Sequence, residues 1–120
     1  MVKLAKREEQ IMQVFWYLKK AFIRDVIPLL SDPKPHYNSV ATMVKILEDK
    51  GFLDHETTGN MHCYFPIISR EDYQKFALKD IVSQYFDNSY PRMLAFFAKE
   101  QNLTAKELNE IVNIIKSENK

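Results

Sequence analysis

A single cysteine, two glycines and no apolar run near the ~20 residues of a membrane-spanning helix remove several classes of protein at once. One thiol, Cys63, forms no intrachain disulfide and builds no cysteine-rich metal cluster. Gly51 and Gly59 stand alone, so there is no glycine-rich loop to cradle a phosphate, and no nucleophile motif accompanies them. Neither an enzyme nor a cofactor is expected. Charge of one sign is scarce too. The net charge is +1, which does not by itself mark a nucleic-acid partner. The opening residues Met1 to Glu9 hold no apolar stretch of the signal-peptide kind. A cytoplasmic protein with no membrane insertion is therefore expected. Internal repeats and low-complexity tracts are also missing.

What is present is the composition of a folded domain. Of 120 residues, 46% are hydrophobic and 28% charged, enough for one domain or two small ones. Residues 1–70 carry ten Lys/Arg against eight Asp/Glu; residues 71–120 carry seven against eight. The asymmetry is small but puts the positive charge in the first half.

Apolar spacing divides the chain into short helices. Ile11, Val14, Phe15 and Leu18 recur at i, i+3, i+4, i+7 and predict a helix over Lys6–Lys19. Ile23, Val26, Ile27 and Leu30 predict a second, which Pro28 makes short or kinked. After the loop Ser31–Pro35, a third helix is expected from Tyr37-Asn38-Ser39, with Asn or Ser as its N-cap, to Lys50, with Gly51 as its stop. Its inward stripe is Val40, Met43, Val44 and Leu47. Then the period changes. Segments 52–57 and 61–65 flank Thr58-Gly59-Asn60, the pattern of a hairpin that Pro66 closes. Ser69 to Asp72 resembles a capping box opening a helix to about Phe86; Pro91 lies in the first turn of another, Tyr90–Lys99; Thr104 to Glu107 opens the last.

Three helices and a hairpin in about 65 residues are the order of a winged helix-turn-helix. The expected fold is mostly α with a small β-hairpin: a winged helix over 1–68, then a C-terminal three-helix dimerisation segment over 69–120. The side of the third helix turned from its apolar stripe is short and polar: Asn38, Ser39, Ala41, Thr42 and Lys45, with Tyr37 at its start. Asn pairs with adenine, Ser and Thr reach either kind of base edge, and Lys bonds guanine or phosphate. Thr58, Asn60 and His62 of the hairpin are placed to meet the backbone. Two readings remain open from the pattern: a DNA-reading module, or a winged-helix protein-interaction module without a DNA role.

The runs Glu9 to Trp16 and Tyr37 to Leu53 resemble the penicillinase-repressor family (the BlaI/MecI type), and so do Tyr64-Phe65-Pro66, Ser69 to Tyr73 and Leu103 to Leu108. The likeness follows nearly the whole chain in order and spacing. It implies a homodimeric transcriptional repressor that binds double-stranded operator DNA at a palindrome. The target in that family is a β-lactamase or related antibiotic-resistance operon, and a membrane sensor-protease acts as upstream partner. Three departures stand out. Ala41 and Ile46 replace positions that are often basic in the family; Ala95-Phe96 replaces its Asn-Phe cleavage pair; and the chain ends Ser117-Glu118-Asn119-Lys120, without the cysteine motif of the copper-responsive branch.

A dimer is expected on physical grounds as well. A C-terminal segment of ~50 residues is small for a core of its own. It carries Tyr73, Phe76, Ile81, Tyr85, Met93, Leu94, Phe96, Phe97, Leu108, Ile111, Val112 and Ile115 as candidate dimerisation residues. Met93, Leu94, Phe96 and Phe97 point around more than half a helix, beyond what one small bundle covers. No metal site is expected. His55 and His62 can meet across the hairpin, but alternation puts Cys63 on the other face from His62, short of four tetrahedral zinc ligands.

Overall fold

The computed structural model describes residues 1–118. Asn119 and Lys120, the last two residues of the terminal tetrapeptide that lacks cysteine, lie outside it. The order is α1 (Lys6–Leu18), α2 (Ile23–Val26) running into a 3₁₀ turn (Ile27–Leu29), α3 (Tyr37–Asp49), β1 (Leu53–Thr58), β2 (Met61–Pro66), α4 (Arg70–Tyr85), α5 (Tyr90–Glu100) and α6 (Ala105–Glu118). The mostly helical architecture with one hairpin is the expected one. It divides into two compact units, Met1–Ala77 and the residues from Leu78 onward.

Local chemistry accounts for where elements start and stop. The second helix ends at Val26, short of the expected Leu30, because Pro28 offers no N–H to the α ladder; the chain tightens into the 3₁₀ turn instead. The third helix opens at Tyr37 with His36 in the N-cap position and no side-chain cap. Asn38 and Ser39 therefore sit inside the first turn rather than capping it, and both are exposed. At the other end Gly51, at φ +83°, closes a Schellman motif. Its N–H donates to Glu48 O at 3.0 Å, and Phe52 N–H to Leu47 O at 2.9 Å. The left-handed turn drops Phe52 into the core beside Leu47, so the strand begins at Leu53 rather than Phe52.

The hairpin pairs Leu53 with Pro66, His55 with Tyr64, Thr57 with His62 and Thr58 with Met61, around Gly59 at φ +62°. Ala21 adds an isolated one-residue rung on the other edge of β2: its N–H donates to Tyr64 O at 3.0 Å, and it accepts from Tyr64 N–H at 2.8 Å. That rung ties the α1–α2 link to the inner strand of the hairpin.

The core of the first unit is built where the apolar stripes converge. Ile11, Met12 and Phe15 of α1, Val26 of α2, Val40, Val44 and Leu47 of α3, and Phe52 and Leu53 are essentially inaccessible. Tyr73 joins them, against the expectation that it serves a dimer. It is 5% exposed, stacks near Trp16 and Phe52, accepts Leu4 N–H at 3.0 Å and donates to Glu9 Oε1 at 3.0 Å. Burial in this apolar setting, with Glu9 alongside, pushes its hydroxyl above the ordinary tyrosine value despite the Leu4 N–H. Phe76 and Ala77 pack on the same core. These three residues are why the first unit extends into α4 instead of stopping at residue 68.

The second unit has the opposite character. Val82 is its one buried residue among those described. Phe86 meets Phe96 at 5.5 Å between ring centroids, and Met93 is half-buried. Ile81, Tyr85, Leu94, Phe96, Phe97, Leu108, Ile111, Val112 and Ile115 are all exposed. The helix starts are sound: Ser89 Oγ accepts Arg92 N–H, and Thr104 and Glu107 form the reciprocal capping box.

A largely buried ionic contact joins two helices of the first unit. Glu8, 7% exposed, accepts Ala5 N–H at 2.9 Å and pairs with Lys50 Nζ at 2.9 Å, joining the start of α1 to the end of α3. Burial alone would push its carboxyl up. The Ala5 N–H and the Lys50 ammonium outweigh that and hold it below the ordinary carboxylate value. Because the folded value is the lower one, Glu8 contributes its full stability above the unfolded value and loses it as pH falls through the folded one. Glu8→Gln should cost about 2 kcal/mol at neutral pH by urea denaturation. The variant should also show a flatter stability profile than the parent below about pH 4.5.

Candidate nucleic-acid interface

Burying Val40, Val44 and Leu47 fixes how α3 is rotated. Its other side carries Asn38, Ser39, Thr42 and Lys45, all exposed, with Ala41 half-buried at the margin. Tyr37 and Ile46 are exposed as well. The residues proposed from sequence as a reading surface thus fall on one face of one helix, and no other element covers them among the described residues. Their side chains are short except for Lys45, as an α-helix needs in order to enter a major groove ~12 Å wide.

Two of these groups already have local partners. Thr42 Oγ1 donates to Asn38 O at 3.0 Å, which leaves its lone pairs outward. Lys45 Nζ lies 3.5 Å from Glu48 Oε1 and 3.8 Å from Asp49 Oδ1. Both are single-turn pairs of a mostly exposed ammonium, worth a few tenths of a kcal/mol each. A phosphate or a guanine edge can displace them.

The hairpin brings Asn60 and His62 to the N-terminal end of α3. Together with Tyr37 they line a hollow of about 160 Å³, whose other walls are Phe22, Ile23, Met61 and Tyr64. Thr58 is exposed near the hairpin tip but does not line it. The structure therefore gathers Tyr37, Asn60 and His62 at one end of the helix, while Lys45 lies two turns along toward the other. Sequence reading missed Phe22 and Met61 as walls of this hollow. It also missed Arg24, whose guanidinium lies 5.2 Å from the Phe22 ring centre. No periodicity signals these residues, since three elements distant in sequence meet there. A wider hollow of about 530 Å³, between Trp16, Tyr17, Lys19 and Arg70, shares no residue with this interface.

At the opposite end of α3, the helix touches the hairpin through titratable groups. His55 Nδ1 hydrogen-bonds Glu48 Oε2, and the His55 ring packs 4.3 Å from that of His62 and 5.4 Å from that of Tyr64. The two histidines do meet across the strands, as expected. Cys63 is buried on the other face. Burial, with the Glu48 carboxylate nearby, raises the Tyr64 hydroxyl above its ordinary value, so the phenol stays neutral.

Residues 4–117 match the family model described as Penicillinase repressor. The penicillinase repressor of Bacillus licheniformis is 25% identical to this chain over 118 residues, spanning 94% of this chain and 89% of that protein.

Proposed function

The chain belongs to the penicillinase repressor family of transcriptional repressors, and from that premise we propose that it acts as a homodimer on a palindromic operator, in a β-lactam-resistance-type or related operon. In this reading residues 1–68 contact DNA and the helices within 69–120 hold the two copies together, with Tyr73, Phe76 and Ala77 retained by the first unit. The observation that carries it is the uncovered row Asn38, Ser39, Thr42 and Lys45 on a helix whose opposite side buries Val40, Val44 and Leu47. Such a helix enters the groove as a rigid body.

The second unit supports the dimer. A segment with one buried residue among those described and a series of exposed aromatic and aliphatic groups on α5 and α6 carries more apolar surface than a small monomeric unit normally shows. A second copy covers it. Two recognition helices related by a two-fold axis then read half-sites one or two helical turns apart, at ~34 Å per turn. Linking them makes the second engagement intramolecular, so loss of the dimer costs far more affinity than loss of any one contact.

Two features separate this chain's recognition and control from those of relatives. Ala41 and the exposed Ile46 contribute no positive charge to the reading helix. Its base preference therefore rests on Asn38, Ser39, Thr42 and Lys45. At the position of the family's cleavage pair stands Ala95-Phe96, exposed on α5. The Asn of that pair is therefore missing, and control by cleavage at this bond is not carried over from the family.

Electrophoretic mobility shift on a palindromic promoter fragment at two salt concentrations tests the reading. A sequence-preferring complex that weakens steeply with salt is expected, since phosphate contacts by Lys and Arg release counterions. No complex even at low salt would instead assign the fold to protein interaction. Lys45→Ala should lower operator affinity by about 1–3 kcal/mol while leaving thermal unfolding unchanged to within ~0.5 kcal/mol. Phe97→Asp places a charge in the proposed interface and should leave only monomers in analytical ultracentrifugation. A persistent dimer would move the interface elsewhere.

A further inference from the structure

We propose that the junction of α3 with the hairpin is a divalent-cation site of the zinc type, made by Glu48, Asp54 and His55. One donor atom from each of these residues lies within 4.8 Å of the others. Neither histidine–cysteine spacing nor a helical motif announces the set, because Glu48 comes from the recognition helix and the other two from β1.

The donors are held in place before any ion arrives. The Schellman turn at Gly51 folds β1 back along the last turn of α3, which fixes Glu48 against His55. The His55 backbone N–H donates to Asp54 Oδ1 at 2.8 Å and orients that carboxylate. The His62 and Tyr64 rings pack on the His55 imidazole and limit its rotation. Donors around one zinc ion at ~2.0–2.2 Å stand ~3–4 Å apart, so small side-chain rotations close the observed spread. Glu48 and His55 are half-buried and Asp54 is exposed, which leaves the remaining position to solvent. One imidazole with two carboxylates suits Zn²⁺ better than Ca²⁺ or Mg²⁺, which take oxygen donors alone.

The site has a consequence for recognition, which rests on the repressor reading above. Glu48 is also the partner of Lys45 at 3.5 Å. A cation bound to Glu48 neutralises that carboxylate and leaves the Lys45 ammonium only its longer contact with Asp49, at 3.8 Å, so that it turns more readily to DNA. It also clamps the recognition helix to the hairpin that flanks it. Zn²⁺ should therefore tighten the operator complex.

Calorimetric titration of the tag-free full chain with ZnCl₂ in the absence of DNA is the first test. Saturable binding of one ion per chain is expected, weakened at least ~10-fold by His55→Ala and by the surface variant Asp54→Asn, with far-UV circular dichroism confirming that both variants are folded. Absence of saturable binding, or equal affinity in folded variants, overturns the site. Mobility shift with and without ZnCl₂ is the second. Tighter DNA binding that His55→Ala abolishes supports the coupling, and an unchanged complex in zinc-bound protein refutes it. A chain that binds zinc but never DNA would sink the repressor reading and leave the cation site standing.

Discussion

The burial of one stripe of α3 is the constraint on which the rest depends. Val40, Val44 and Leu47 are wholly withdrawn from water against Ile11, Phe15, Val26 and Phe52. At ~1.5–3 kcal/mol for each large apolar side chain hidden, turning the helix by even a third of a revolution would expose several of them and bury Lys45 or Asn38 instead. The rotation of the helix is thus set by its apolar side, and the polar side faces outward as a consequence. A surface meant to enter a groove needs this rigidity, because groove contacts are lost with small displacements.

Placement along the helix axis comes from its ends. The Schellman turn at Gly51 stops α3 and reverses the chain into the hairpin. The Ala21–Tyr64 rung then pins the hairpin to the helical core, so Asn60 and His62 arrive beside Tyr37. The Glu8–Lys50 pair ties the same helix end to α1 from another direction. Such a pair is a modest source of net stability, but it fixes one relative placement of the two helices, since breaking it strands a largely buried carboxylate.

The two units solve the problem of apolar surface in different ways. The first closes its core with its own elements and recruits Tyr73, Phe76 and Ala77 from α4 to finish it. The second leaves Leu94, Phe96, Phe97, Ile111 and Ile115 at the surface. Helices this amphipathic and this short gain little as isolated bundles; their stability comes from packing an apolar face. In the proposed dimer, a second copy of the chain supplies that packing.

Most of the architecture was legible in the order of residues. Helical periodicity placed all six helices to within a few residues, glycine and proline marked their ends, and the switch to alternation marked the hairpin, since these signals are carried by neighbours three or four positions apart. The outward row Asn38, Ser39, Thr42 and Lys45 followed from the same arithmetic. What the chain order did not disclose depends on segments far apart in sequence closing on one another. Tyr73 reads as one more aromatic on a helix until it is seen bonded to Leu4 and Glu9. Ser39 and Asn38 read as caps until the helix is seen to start at Tyr37. Glu48, Asp54 and His55 become a cluster only because a left-handed glycine folds one element back upon the other. Local pattern determines which face of each element is apolar, but which groups meet is decided by the single packing that buries all those faces together.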